Sequence, residues 1–175
     1  AIDKTINDLR KEGFTLKVEG NLHDYLSCEI TIDEAHKIGW IHQPHLIDKL
    51  ESKFGKMVQS LQDYRTPGTP GQHVLRNVDA KIDPERHSIY RSGVGMLLYL
   101  EKHSRPDIAN AVRELTKALD GPSRAAYKEF LRVVKHTIDT RNLALKLQPI
   151  DPKDDGQWTI VTYCDSDYAG DAETR

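Results

Sequence analysis

Apolar positions recur along this chain in two rhythms, one helical and one alternating. Ile2, Ile6 and Leu9 stand at i, i+4 and i+7, which predicts a short amphipathic helix over 2–12 ending at Gly13. Phe14, Leu16 and Val18 then alternate with Thr15, Lys17 and Glu19 as a half-buried strand. A second alternation places Leu26, Cys28, Ile30 and Ile32 on one face, with Ser27, Glu29 and Thr31 on the other. Asp33–Lys37 turns the chain, and Ile38–His42 returns beside it as a β-hairpin.

Helical spacing takes over from Pro44, with Leu46, Ile47, Leu50 and Phe54 inward and Gly55 as the stop. Between 59 and 86 the pattern weakens, and Thr66-Pro67-Gly68-Thr69-Pro70-Gly71 admits neither helix nor strand. Over 90–112 the helical period returns strongly, with Val94, Leu97 and Leu98 on one face. Gly93 and Gly95 interrupt it, and they suit the close approach of another backbone better than they suit helix stability. Ser104-Arg105-Pro106-Asp107 reads as a fresh start, with a capping Ser and Pro in the first turn. Leu115 and Leu119 continue the Ile108–Val112 face until Gly121-Pro122. Ser123 then caps a helix with Tyr127, Phe130, Leu131, Val134 and Ile138 on one side. Leu143, Leu145 and Leu147 alternate as a strand, and Trp158–Tyr163 forms another, leading into Cys164-Asp165-Ser166-Asp167.

Several of these stretches resemble copia-type LTR-retrotransposon reverse transcriptases. Tyr90, Arg91, Ser92, Val94, Gly95, Leu98, Tyr99 and Leu100, followed by Arg105-Pro106-Asp107-Ile108-Ala109, resemble the family pattern YRSLVGSLMYLA…TRPDIA. Gly93 stands where that pattern has Leu. Tyr25–Ile30 resembles the segment FLGIEI, placed at the primer grip, with Ser27 where Gly is usual. The run from Ile41 to Gly55 resembles the first thumb helix. Cys164–Asp171 resembles the motif YSDADWAGD, the first strand of the ribonuclease H domain.

The resemblance implies an α+β architecture in three parts. Residues 1–43 would close the polymerase palm with the primer-grip hairpin, and 44–140 would form a mainly helical thumb with a loop near 59–86. Residues 141–175 would open a ribonuclease H-like domain with a pair of strands. No Asp-Asp pair follows a Tyr in this chain, so the polymerase motif YxDD is missing; Asp154-Asp155 falls in a turn. Both ends read as cut, and the piece by itself is expected to be inactive.

Candidate chemistry follows from this frame. Asp165 and Asp167, at i and i+2 after an apolar strand, point to one side as hard divalent cations require. By resemblance Asp165 is the first catalytic carboxylate of ribonuclease H, with Mg²⁺ as cofactor. Lys49, Lys53 and Lys56 could track a phosphate backbone, or simply solvate a helix also bearing Asp48 and Glu51. At 100° per residue Lys128, Arg132 and Lys135 flank the apolar face of their helix, where cations either meet phosphate or snorkel. Ser27 and Glu29 would touch nucleic acid at the hairpin.

Composition adjusts this picture little. Hydrophobic residues make up 38% and charged ones 30% of 175, a polar balance for one domain or parts of two. Net charge of −2 argues against uniform attraction to nucleic acid and leaves room for a local basic stripe. Two cysteines are too few for a disulfide framework and read as buried free thiols of a reducing compartment. His42 and His45 are separated by Pro44 and make a poor zinc pair, and GTPGQH lacks the Lys of a P-loop. The expected partners are a primer–template duplex and the rest of the same polyprotein, in an intracellular particle or nucleus. Two other readings remain open: a non-catalytic helical interaction module, and a metal-dependent nuclease centred on Asp165.

Overall fold

The computed structural model describes residues 2–17, 24–71 and 81–148. Its elements run α1 (Ile2–Lys11), β1 (Asp24–Tyr25), β2 (Cys28–Asp33), β3 (Ile38–His42) and α2 (Pro44–Val58). Then follow α3 (Pro84–His103), a one-turn 3-10 helix (Pro106–Ile108), α4 (Ala109–Thr116), α5 (Arg124–Asp139) and β4 (Leu145–Leu147). Mixed helix and small antiparallel sheet is therefore the architecture. The segment 14–17 forms no strand, and Phe14 lies exposed there. Asp165, Asp167 and the strand expected at 158–163 lie outside the described residues.

The core belongs to the helices. Phe130 of α5 sits at its centre, edge-on to Phe54 of α2 and Tyr90 of α3, with ring centroids 5.5 Å apart in both pairs. Gly93 makes this possible. A Cβ there would come within 2.3 Å of the Phe130 ring and 3.1 Å of Phe54, so only a bare backbone leaves room for the ring. Gly95, by contrast, faces open space, so neither glycine admits another backbone: Gly93 admits an aromatic ring, and Gly95 admits nothing. The buried face of α3 is Tyr90, Gly93, Val94, Leu97 and Leu100, and Leu98 lies at its exposed edge. The Tyr90 hydroxyl donates to the Leu115 carbonyl at 2.7 Å, a satisfied polar atom in an apolar setting. Burial pushes its phenol above the usual range.

Helix ends differ in part from the sequence reading. Ser123 caps α5 as expected, its hydroxyl accepting from the Ala126 amide at 3.1 Å. Helix α2 runs through Gly55 to Val58, because Val58 is itself buried and keeps the last turn on the core. Ser104 does not cap a new helix. It ends α3, and its hydroxyl donates to Oε1 of the buried Gln43 at 2.9 Å.

The sheet has strand order β1-β2-β3-β4, antiparallel throughout. Ile41 pairs with both Ile30 and Leu145, and Gly39 with both Ile32 and Leu147. Strand β4 thus joins the edge of the N-terminal hairpin. Because paired residues share a face, Tyr25, Cys28, Ile30, Ile32, Ile41, Leu145 and Leu147 all line one side. Cys28 is buried, while Ile32 and Leu147 at the far end are 58% and 50% exposed. Leu26 and Ser27 are not part of the strand; with Tyr25 paired to Cys28 they form the two-residue turn between β1 and β2.

Candidate nucleic-acid interface

That turn carries backbone strain. Leu26 and Ser27 have φ of 52° and 61°, the left-handed pair that a tight hairpin demands and that Asn-Gly normally supplies. Something must hold two ordinary residues there. The Tyr99 hydroxyl, from the exposed side of α3, donates to the Leu26 carbonyl at 2.9 Å. Tyr99 is itself stacked against His103 at 4.3 Å between centroids, and the His103 ring nitrogen Nδ1 lies 2.8 Å from the Tyr99 carbonyl. The hairpin tip is thereby tied to the helical bundle by a contact spanning 73 positions.

Glu29, on the opposite face of β2 from Cys28, lies between two imidazoles. Its carboxylate oxygens are 3.5 Å from His42 Nε2 and 3.3 Å from His45 Nε2. Among the described residues no His, Cys, Asp and Glu side chains are grouped so as to hold a metal ion.

On α2, Lys49 and Lys53 stand one turn apart and exposed. Lys53 Nζ donates to Ser92 Oγ of α3 at 2.6 Å and lies 5.5 Å over the Phe54 ring. The acids interleaved with them, Asp48 and Glu51, are both paired with Arg141, at 2.9 Å for Glu51. The one guanidinium offsets one of the two carboxylate charges, and Lys49 and Lys53 together outweigh the charge left over.

On α5 the three cations part company. Lys128 is exposed. Arg132 Nη2 donates to Thr66 Oγ1 at 3.0 Å and to its carbonyl at 3.2 Å, with the guanidinium 4.4 Å over the Tyr64 ring. Lys135 Nζ contacts Asp139 at 2.6 Å and Asp63 at 3.1 Å, and the Asp139 hydrogen bond holds its pKa above the usual value despite the opposing cost of burial. Two of the three therefore fasten the loop 63–71 onto the bundle. His136 adds a contact of 2.9 Å between Nδ1 and the Tyr64 carbonyl, and Glu129 accepts from Thr69 Oγ1 at 2.8 Å. Between this strap and helices α4 and α5 lies a groove of about 280 Å³, bordered by Asp107, Asn110, Arg113, Glu114 and Glu129.

Sequence reasoning found the Arg105-Pro106-Asp107 motif but not its job. Arg105 is 1% exposed, and its Nε and Nη2 each hold one oxygen of Asp107 at 2.8 Å. Nη1 and Nη2 also reach the carbonyl and hydroxyl of Thr140, at 3.2 and 2.7 Å. The motif is a buried bidentate clasp between the α3–α4 corner and the end of α5. Burial would raise the Asp107 carboxyl, but Arg105, helped by His136, holds it below its ordinary 3.8. Neither Tyr99 nor the Gly93–Phe130 fit was singled out as a pair from sequence. Both join residues far apart in the chain, and no periodicity signals that.

What the fold defines, then, is a helical bundle bearing a small strained hairpin, with no active site visible among the described residues. Compared with known proteins, the chain is similar over 99% of its length, at 25% identity, to the "Retrovirus-related Pol polyprotein from transposon TNT 1-94" of Nicotiana tabacum. This supports a retrotransposon Pol segment. Over 49% of the chain, at 33% identity, it is also similar to "Secreted RxLR effector protein 161" of Plasmopara viticola. The chain spans 13% of the polyprotein, and its match covers 57% of the effector. No family model and no solved structure matches.

Proposed function

We propose that this chain is the primer–template grip of a copia-type reverse transcriptase, joining the end of the palm, the thumb and the opening of ribonuclease H. The observation that carries the reading is similarity to a Pol polyprotein along nearly the whole chain, in a segment whose motifs fall on the hairpin tip and on α3. Lys49, Lys53 and Lys128 supply cations to the duplex backbone. Ser27 presents its hydroxyl and left-handed backbone at the hairpin tip, while Glu29 acts through the two imidazoles that it holds. Asp165 and Asp167 would carry Mg²⁺ in the complete enzyme together with carboxylates from the rest of the polyprotein. Those two residues lie outside the described residues.

Titrating the chain with an RNA–DNA duplex at several salt concentrations tests this. Three phosphate contacts predict a log–log slope of about −3, and removing both Lys49 and Lys53 should reduce it by about 2. Primer extension should be absent. Binding that ignores salt, or extension by the purified chain, sinks the proposal.

A second reading is favoured by one observation, the 33% identity to a secreted effector. In it the same scaffold serves as a transposon-derived, non-catalytic interaction module. Saturable binding to a protein, with no duplex affinity at any salt, would select it.

A further inference from the structure

The strap contains two threonines in the same local setting, Thr66-Pro67-Gly68 and Thr69-Pro70-Gly71. They face opposite charges. Thr69 Oγ1 donates to Glu129 Oε1 at 2.8 Å, and the Thr69 amide lies 3.3 Å from Oε2. Thr66 is exposed; its hydroxyl donates to the Gly68 carbonyl at 3.0 Å and accepts from Arg132 Nη2 at 3.0 Å.

Arg132 is only half used. Its Nε is buried and has no hydrogen-bond partner among the described residues. Elsewhere in the molecule Arg105 shows what that edge can do, with Nε and Nη2 each taking one oxygen of Asp107 at 2.8 Å. Arg132 gives Thr66 a single nitrogen, Nη2, which meets only neutral acceptors there, the hydroxyl at 3.0 Å and the carbonyl at 3.2 Å. A tetrahedral dianion on Thr66 would replace a neutral acceptor beside that nitrogen with charged oxygens, the partner a guanidinium binds best.

We propose that Thr66 is a phosphorylation site for a proline-directed serine/threonine kinase, with Arg132 as its built-in receptor. Thr66 Oγ attacks the γ-phosphorus of ATP. The new Oγ–P bond forms as the bond to the bridging oxygen breaks, ADP departs, and the hydroxyl proton passes to the kinase's base. The product carries about −1.5 to −2 charges at neutral pH. Placed against Arg132 it gains charge-assisted hydrogen bonds and draws the strap onto α5. Placed on Thr69 the same group would meet the Glu129 carboxylate, so the two Thr-Pro sites are not equivalent. Closing the strap narrows the groove beneath it, which Thr66 and Thr69 both line. This inference stands apart from the duplex-binding proposal.

The test treats the full chain with a proline-directed kinase and ATP, maps the phosphate by mass spectrometry, and titrates it by phosphorus NMR. One phosphate on Thr66 is expected, its second ionisation displaced below the usual pKa of about 6. Amide exchange across 63–71 should slow about tenfold relative to the unmodified chain. In Arg132→Gln, with folding verified by circular dichroism, phosphate is still added but both effects vanish. Arg132→Lys, which keeps the charge and loses the fork, should recover only a minor part. The proposal is overturned if the folded chain is not phosphorylated on Thr66, if Thr69 is modified instead, or if the wild type itself shows an ordinary phosphate ionisation. It is also overturned if unmodified chain loses duplex binding on Arg132→Gln, which would assign the fork to nucleic-acid phosphate.

Discussion

The bundle and the hairpin sheet solve the same problem, burying an apolar face, to different degrees. In the bundle Phe54, Tyr90, Leu97 and Phe130 are fully enclosed, and two polar groups caught among them are answered: Tyr90 by the Leu115 carbonyl, Arg105 by Asp107 and Thr140. The sheet encloses Cys28 but leaves Ile32 and Leu147 in solvent, and it is secured to the helices at the hairpin tip by Tyr99. Enclosure on all sides makes cooperative stability, whereas an open sheet hung from a few contacts should fluctuate locally. A bundle that is complete and a hairpin that is adjustable suit the grip proposed above.

Damage to the bundle should be global and large. Asp107→Ala leaves Arg105 buried without its carboxylate, and chemical denaturation should register a loss of about 3 kcal/mol. Gly93→Ala drives a methyl group into the Phe130 ring, which its neighbours Phe54 and Tyr90 keep from moving away. A loss of about 2–3 kcal/mol is expected, partly recovered when Phe130→Leu is added. If the double variant is as unstable as the sum of the singles, the shared-space account of Gly93 is wrong.

Changes at the hairpin should be smaller and confined. Tyr99→Phe removes the bond to the Leu26 carbonyl, worth about 1 kcal/mol, and should speed amide exchange in β1 and β2 while α3 is untouched. Ser27→Gly relieves one left-handed residue and should stabilise by up to about 1 kcal/mol. Uniform acceleration across the bundle in Tyr99→Phe would erase the distinction between the two regions. Smallest of all, Ile32→Thr should shift stability by no more than about 0.5 kcal/mol, because that side chain is already in water.

Within the bundle, acid and base act in opposite directions. The Asp107 carboxyl is lowered in the folded chain, so its stabilising contribution is present above the ordinary carboxylate value of 3.8 and is lost as pH falls through the lowered folded value. Below pH 4 the bundle should therefore lose stability, and Asp107→Asn should flatten that slope. Lys135 runs the other way: its raised value adds stability that is present below 10.5 and fades as pH climbs through the folded value.

How much of this was legible beforehand depends on range. Ser123 as a cap, α5 with Phe130 and Val134 inward, and the β2–β3 pairing all follow from spacing within a dozen residues, where side-chain identity and backbone geometry are directly coupled. Gly55 and Ser104 misled because the same residue types serve either at helix ends or inside a contact; Val58 and Gln43, not the residues themselves, decided which. Leu26 carried an alternating pattern into a place where the chain turns, since hydrophobicity does not encode the sign of φ. The cations of α5 were recognised as a cluster, but nothing in their spacing foretold that Arg132 and Lys135 would meet residues 63–66.

By itself, then, the order of residues determined the elements, most of their faces and the resemblance to a transposon polyprotein, because these depend on short-range periodicity and on motif identity. Tertiary structure alone decided that Gly93 is a seat for Phe130, that Arg105 and Asp107 form a clasp, that Tyr99 holds a strained turn, and that a strap lies over a groove. Each is a meeting of groups remote in the chain or a choice of partner, and only packing in three dimensions makes it.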